Sequence, residues 1–257
     1  MRKKISKTVI LILSMGILLM GCSSKKNEVK NKEITISIAA SLKEPIEKIK
    51  EEYEKNNDVK ININAAGSGT LKKQISEGAE VDIFFSASKK YVDQLIKEGL
   101  VLSEDRSDPI KNSLVLIKNK EVKNNFNSLE DLKNIDGKIA IGEWNTVPAG
   151  EYAKESLENI NIFSSLEDRM VLAKDVKAVK TYVENSDTEY GFIYKSDSLD
   201  LKSSEVVLEV PNNLHKEISY SLALINSSSN KDEAKKFINF MTADKGKEIF
   251  NEYGFTM

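Results

Sequence analysis

The sequence predicts an α/β fold whose sheets are mostly parallel. Apolar and polar residues alternate over residues 34–38 and again over 59–65, as they do in strands with one buried face. The apolar residues between these two stretches have the spacing of one helix face: Leu42, Ile46, Ile49 and Tyr53. A strand, a helix and a further strand in succession are typical of parallel sheets that are covered by helices.

The same order of strand and helix recurs along the chain. The patterns predict strands at 81–86, 138–142 and 190–194, and helices at 91–97, 148–157, 231–242 and 244–253. Two further apolar runs, 113–117 and 218–225, lie about 100 residues apart. They fit a chain that leaves one domain, builds a second and returns, although periodicity alone does not establish this.

The composition excludes several classes of protein. The 257 residues include one cysteine, so an intramolecular disulfide is impossible. One cysteine and one histidine cannot build a zinc cluster. The formal net charge of −2 argues against a nucleic-acid partner, because such proteins usually carry a basic excess on one face.

The N-terminus has the pattern of a secretory signal. Residues 1–21 contain four cations and no acid, and their apolar run, 9–20, is too short to span a bilayer. The run ends in Leu-Met-Gly-Cys at 19–22, which resembles a bacterial lipobox and predicts a diacylglycerol on Cys22; the alternative is a chance cysteine after an ordinary signal. Residues 22–33 are expected to be a lipidated tether, and the mature chain carries a charge of about −6.

Four loops follow a predicted strand and open a predicted helix with small or hydroxyl residues: 39–44, 66–70, 147–150 and 174–176. In the first, Ser41 and Glu44 have the spacing of a capping box. The start of a helix presents unpaired N–H groups and a partial positive charge, so it favours an anion. Ligands of open α/β sheets collect at the carboxyl ends of the strands, where these loops are expected to lie.

Two alternatives come from other classes of function. The protein could be a lipid-anchored hydrolase with Ser68 as nucleophile and His215 as base, but His215 lies in a polar stretch and is expected to be a solvated surface residue. It could also be a surface interaction module with a degenerate pocket. The lysines after Gly67 lack the spacing of a phosphate loop, which argues against nucleotide binding. Trp144 could be either a pocket wall or part of the core.

The loops and their order resemble the molybdate-binding proteins of bacterial ABC importers, in their lipoprotein form, which are type II periplasmic solute-binding proteins. The resemblance runs from residue 34 to 254. It rests on A-A-S-L at 39–42, G-S-G at 67–69, D-I-F-F-S-A at 82–87, V-P-A-G-x-Y-A at 147–153, D-V at 175–176 and G-F-I-Y at 191–194.

The resemblance implies two lobes, each a mixed, mostly parallel sheet flanked by helices, with the ligand in the cleft between them. Residues 34–112 and 212–257 would form lobe 1, and 113–211 would form lobe 2. The lobes would close on molybdate, an oxyanion, by a hinge motion. Ser41 and Ser68 would each give it a hydroxyl and a backbone N–H, Ala149 and Val176 would give backbone N–H groups, and Tyr194 would give its phenolic O–H.

The same resemblance implies a binding protein with no catalytic residue and no cofactor. No side chain would coordinate a metal, because the metal arrives inside the oxyanion. The expected partners are an ABC permease and its ATPase, and the membrane through the lipid anchor; nucleic acid is not expected. The protein would be a monomer outside the cytoplasm, anchored to the outer face of the cell membrane. A preference for tungstate or sulfate on the same fold is the alternative.

Overall fold

Strands and helices alternate along residues 32–257, the part of the chain that the computed structural model describes. Its strands are β1 (Lys32–Ala39), β2 (Val59–Ala66), β3 (Ile83–Ser86), β4 (Arg106–Lys111), β5 (Leu114–Asn119), β6 (Ile139–Gly142), β7 (Met170–Ala173), β8 (Tyr190–Tyr194), β9 (Ser204–Glu209) and β10 (Ser219–Leu224). Its α-helices are α1 (Lys43–Glu54), α2 (Ser68–Ser76), α3 (Lys89–Lys97), α4 (Pro148–Asn159), α5 (Phe163–Leu166), α6 (Val176–Glu184), α7 (Lys231–Thr242) and α8 (Asp244–Glu252). The predicted signal peptide, Cys22 and the tether as far as residue 31 lie outside the described residues.

The strands form two five-stranded sheets within residues 32–257. The first sheet has the order β2-β1-β3-β10-β4 and the second has the order β7-β6-β8-β5-β9. In each sheet four strands run in one direction and one is reversed, which is β10 in the first sheet and β5 in the second. The predicted fold class, an α/β protein with two mixed and mostly parallel sheets, is confirmed.

Each sheet is covered by its own helices. The first lobe consists of the first sheet with α1, α2, α3, α7 and α8, and the second lobe consists of the second sheet with α4, α5 and α6. The chain passes to the second sheet between β4 and β5 and returns between β9 and β10. The two predicted apolar runs are the reversed strands β5 and β10, each of which comes directly after one of these passages.

The alternating pattern of β1 is explained by its place in the sheet. Ile34, Ile36 and Ile38 are fully buried, and β1 pairs in parallel with both β2 and β3. Ile46 and Ile49 on α1 are buried in the same core. Full burial of a side chain of this size contributes roughly 1.5–3 kcal/mol, so this one β-α-β unit is a large part of the first lobe's stability.

The elements missing from the sequence-based prediction are mostly edge strands. β4, β7 and β9 each lie at the edge of a sheet and are polar or half-exposed. An edge strand pairs on one side only and needs no continuous apolar run, so its periodicity is weak. In addition, β1 begins at Lys32, two residues before the expected start of the fold, because Lys32 and Glu33 pair with the first residues of β2.

The helices that follow the strands begin near the expected positions. Gly99, with a φ of 74°, follows α3 and adopts the left-handed conformation that ends many helices. Among residues 32–257, no helix combines the length and the apolar character that crossing a bilayer requires.

Candidate ligand-binding site

The ends of β1, β2 and β8 and the segments that follow β3, β6 and β7 line one cavity between the two lobes. The cavity is small and opens partly to solvent. All five residues predicted to bind the ligand line it: Ser41, Ser68, Ala149, Val176 and Tyr194.

Ser41 lies in a short 3-10 turn, Ala40–Leu42, between β1 and α1. Its Oγ is 2.8 Å from the hydroxyl oxygen of Tyr220 on β10. The predicted capping box of Ser41 and Glu44 is wrong, since no side chain caps α1 and the Ser41 hydroxyl pairs with Tyr220 instead. Tertiary contacts therefore replaced a local hydrogen bond that the sequence spacing allowed.

Ser68 is the first residue of α2, directly after the helix-capping Gly67. Its side chain is completely buried, and its Oγ accepts a hydrogen bond of 3.1 Å from the backbone N–H of Ala87. A serine hydroxyl can accept and donate at the same time. Because Ala87 occupies a lone pair of the Ser68 hydroxyl, its proton remains available to a ligand in the cavity.

Ala149 and Val176 lie in the first turns of α4 and α6, where backbone N–H groups have no partner within the helix. Pro148 begins α4 and has no N–H of its own, so the N–H of Ala149 is the first that this helix offers. Asp175 caps α6 by accepting from the N–H of Ala178 at 2.8 Å. That bond satisfies an N–H two residues beyond Val176 and keeps the carboxylate of Asp175 occupied.

Tyr194 ends β8 and is buried against the cavity. Its hydroxyl has no hydrogen-bond partner within the part of the chain that the structure describes. A buried hydroxyl without a partner costs about 1–3 kcal/mol, so a group that accepts its proton would remove this cost. Burial raises the pKa of the Tyr194 phenol well above its usual range, which keeps it a donor.

No basic side chain lines the cavity among the described residues. The nearby cation is Lys177 at the second position of α6, which is held by two carboxylates: Asp197 at 2.8 Å and Glu44 at 2.7 Å. Burial lowers the pKa of Lys177, but these carboxylates outweigh it and the net pKa is raised. The positive potential at the cavity therefore comes from helix N-termini and N–H groups.

The two lobes touch beside the cavity, at the loop that precedes α4. The N–H of Gly69 donates to the carbonyl of Thr146 at 2.8 Å, and the Tyr91 hydroxyl donates to the carbonyl of Asn145 at 3.0 Å. A Cβ on Gly69 would lie 2.7 Å from the Cα of Thr146, so the missing side chain permits this approach. With these contacts between the lobes, the structure is a closed form.

Two expectations about ring side chains are resolved by the structure. His215 was expected at a solvated surface, and this is wrong: it is 7% exposed, its ring lies beside Tyr152, and its Nδ1 is 2.7 Å from the carbonyl of Lys216. It does not line the cavity with Ser68, so the two do not form a nucleophile and base. Trp144 packs edge-on against Phe163 and is likewise outside the cavity lining.

Two residues next to the site carry no local sequence signal: Tyr220, which hydrogen-bonds Ser41, and Lys177, which follows Val176. Tyr220 contacts Ser41 from 179 positions further along the chain, within a run that was recognised only as an apolar strand. Lys177 follows a predicted ligand residue directly, but its partners Glu44 and Asp197 are distant in sequence. No local spacing pattern could have identified either contact.

A cleft between two α/β lobes, lined by serine hydroxyls, helix starts, a phenol and apolar groups, with Asp175 as its one acidic residue among those the structure describes, defines a solute-binding protein of the two-lobed class. Residues 34–256 match the model of the family described as bacterial extracellular solute-binding protein. The match covers most of the chain, and the chain belongs to this family.

Known relatives and structures are similar over most of this chain. YvgL of Bacillus subtilis, named as a proposed ABC transporter substrate-binding lipoprotein, is 35% identical over 96% of both chains. The molybdate-binding protein ModA of Escherichia coli is 31% identical over 88% of this chain and 89% of its own. The substrate-binding domain of a proposed molybdenum ABC transporter from Clostridium difficile is 41% identical, with a TM-score of 0.67 over 87% of this chain and 98% of that domain.

Proposed function

We propose that this protein captures molybdate between its two lobes and delivers it to the permease of an ABC importer. The observation that carries the proposal is the cavity itself, where two serines, two helix starts and a phenol come together from both lobes. ModA and the Clostridium difficile domain, whose names refer to molybdate or molybdenum, are similar over at least 87% of this chain. Solute-binding proteins of this family are not enzymes, and we propose no catalytic role.

The donor set suits a dianion that carries no proton. Such an ion can only accept hydrogen bonds, and Ser68, Ala149, Val176 and Tyr194 each have a donor available at the cavity. Hydrogen bonds to a charged group contribute roughly 1.5–3 kcal/mol each. The mature chain is itself acidic, so the electrostatic field of the whole protein repels an anion. Binding therefore depends on these local donors.

Closure follows from the position of the donors. Ser41 and Ser68 belong to the first lobe, whereas Ala149, Val176 and Tyr194 belong to the second. An ion that accepts from both sets at once binds the closed form more tightly than the open one and shifts the population toward it. Small-angle scattering is expected to show a smaller radius of gyration when molybdate is added.

A competition titration tests the ligand. Molybdate, tungstate and sulfate share a tetrahedral dianionic form without a proton; sulfate is the smaller ion, so the size of the cavity discriminates against it, whereas molybdate and tungstate are nearly equal in size and only the titration ranks them. We expect isothermal titration calorimetry to give the tightest binding for molybdate. Tighter binding of tungstate or sulfate would assign the same site to that ion, and failure of all three to bind would refute oxyanion capture.

We further propose that Cys22 is lipidated and holds the mature protein on the outer face of the cell membrane. Support comes from the lipobox pattern at 19–22 and from the printed name of YvgL, which is a lipoprotein name. Cys22→Ala is expected to move the protein from the membrane fraction to the soluble fraction. Cys22→Ala protein that still pellets with membranes would show that the anchor lies elsewhere.

The proposed lobes are 34–112 with 212–257, and 113–211. The membership of the strands supports these boundaries, because β1 to β4 and β10 share the first sheet and β5 to β9 share the second. We propose that the protein acts as a monomer, since one chain supplies donors from both sides of the cavity. Sedimentation at increasing concentration would test this.

A further inference from the structure

Ser41 is connected to the rest of the first lobe through a chain of two hydrogen bonds. The side-chain nitrogen of Asn112 lies 3.3 Å from the hydroxyl oxygen of Tyr220, and that oxygen lies 2.8 Å from Oγ of Ser41. Tyr220 is completely buried on β10, and Asn112 follows β4, where the chain passes to the second sheet. The direction of these bonds decides whether Ser41 offers the cavity a proton or a lone pair.

The orientation of the Asn112 amide is determined by its neighbours. Its Oδ1 accepts from the backbone N–H of Ser113 at 2.9 Å and from the backbone N–H of Ser196 at 3.4 Å. Turning the amide over would place the NH₂ group against these two N–H donors. The side-chain nitrogen of Asn112 therefore faces Tyr220, and a nitrogen of this kind can only donate.

The direction at Tyr220 follows from that at Asn112. The Tyr220 oxygen accepts from Asn112, so its own proton must go to another acceptor, and within the described residues Ser41 Oγ is the acceptor in reach. Burial raises the pKa of the Tyr220 phenol well above its usual range, so the proton is retained. Ser41 Oγ then receives a hydrogen bond from Tyr220, and its own proton is directed to the cavity.

We propose that Asn112 and Tyr220 are positioning residues that hold Ser41 as a donor, and that they thereby select oxyanions without a proton over those that carry one. The inference rests on the proposed function, since it assigns Ser41 to the ligand. Hydrogen phosphate and hydrogen arsenate must donate one hydrogen bond. A Ser41 fixed as a donor opposes that proton, whereas molybdate, tungstate and sulfate have none to place.

Asn112→Asp reverses the chain of hydrogen bonds with almost no change in shape. A carboxylate accepts from Tyr220, the Tyr220 oxygen then accepts from Ser41, and Ser41 turns a lone pair to the cavity. The new negative charge weakens all dianions alike, so the decisive quantity is a ratio of affinities. At mildly alkaline pH hydrogen arsenate and molybdate carry the same charge, and we expect Asn112→Asp to lower the ratio of molybdate affinity to hydrogen arsenate affinity about 10-fold.

Two further variants separate positioning from general support of the fold. Tyr220→Phe keeps the ring contacts with Phe85 and Phe255 but removes the donor to Ser41, so molybdate affinity is expected to fall about 5- to 10-fold. Ser196→Ala is the matched control: it removes the other partner of the Asn112 nitrogen, at 2.9 Å, and leaves the chain to Ser41 intact. The affinity ratio is expected to stay at the wild-type value.

The measurement is competition calorimetry on the full chain with molybdate, sulfate and hydrogen arsenate, after circular dichroism has shown that each variant is folded. A wild-type ratio in Asn112→Asp, with all ions weakened equally, would overturn the positioning role while leaving oxyanion capture intact. If Asn112→Asp does not fold, Tyr220→Phe decides, and unchanged molybdate affinity there overturns the inference. Absence of oxyanion binding by the wild-type protein would instead refute the proposed function and this inference with it.

Discussion

The first lobe lines the cavity with two serine hydroxyls, whereas the second lobe lines it with two helix starts and a phenol. The serines are already held in place, Ser41 by Tyr220 and Ser68 by the N–H of Ala87. The hydroxyl of Tyr194 in the second lobe has no such partner within the described residues. The first lobe therefore presents oriented hydroxyls, while the second lobe has a donor that only a ligand can satisfy.

This difference assigns different roles to the two sides. Donors that are held before the ligand arrives lose little freedom on binding, so they contribute most to affinity. A donor that lacks a partner in the closed form makes closure without ligand unfavourable, because its hydroxyl is buried unpaired. The first lobe would then hold the ion, and Tyr194 would make full closure dependent on it.

The largest expected effect comes from removing both hydroxyls of the first lobe. Ser41→Ala combined with Ser68→Ala deletes two hydrogen bonds to a charged group, each contributing roughly 1.5–3 kcal/mol, so molybdate affinity should fall at least about 100-fold. Titration calorimetry measures it. Unchanged affinity in this double variant would remove these serines from the site.

Tyr194→Phe should weaken molybdate binding less than the double serine variant does. It should not destabilise the ligand-free protein. Loss of one hydrogen bond to the ion is expected to weaken molybdate binding about 10- to 100-fold. The melting temperature without ligand should be unchanged or higher, because a buried hydroxyl without a partner is removed.

Ser41→Ala is the matched comparison for Tyr194→Phe. It leaves the Tyr220 hydroxyl without its acceptor and should lower the melting temperature of the free protein. Equal thermal shifts in Ser41→Ala and Tyr194→Phe would contradict the contrast between the two lobes. Differential scanning calorimetry on ligand-free protein distinguishes these outcomes.

Gly69→Ala tests the contact between the lobes without touching a donor side chain. The added Cβ would lie 2.7 Å from the Cα of Thr146 in the second lobe; within the first lobe it would lie 2.9 Å from the Tyr91 hydroxyl, the end of a side chain that can shift, and a helix tolerates alanine. Overpacking costs about 1–3 kcal/mol, so molybdate affinity should fall about 10-fold, with less compaction in scattering. Thr70→Ala, at an exposed position of the same helix, should behave as wild type.

The smallest expected effect is that of pH. Serine hydroxyls and backbone N–H groups do not titrate, and burial holds the pKa of the Tyr194 phenol well above its usual range. Deprotonation of Tyr194 would remove a donor and repel the anion, so affinity would fall as pH rises through that pKa. We expect constant molybdate affinity between about pH 7 and 9, below an ordinary phenol's pKa of about 10. A decline within this interval would show that another group titrates at the site.

Much of the fold could be predicted from local pattern. The strands β1, β2, β6 and β8 and the helices that follow the loops have clear periodicity, because each buries one face or both. The edge strands β4, β7 and β9 lack this signal, since each lies at the margin of its sheet and is polar or half-exposed. The burial of His215 could not be predicted either, because the residues around it in the sequence are polar. The ring that packs against it belongs to Tyr152, more than sixty positions earlier.

By itself, the sequence determined the strand-loop-helix units and the small residues at the helix starts, because those depend on periodicity and on neighbouring residues. Tertiary structure alone decided what each hydroxyl does. The Ser41 proton points to the cavity because Tyr220, which Asn112 orients, occupies a lone pair of the Ser41 hydroxyl, and both residues are remote from Ser41 in sequence. Whether the Tyr194 hydroxyl finds a partner within the described residues is likewise decided by the tertiary fold.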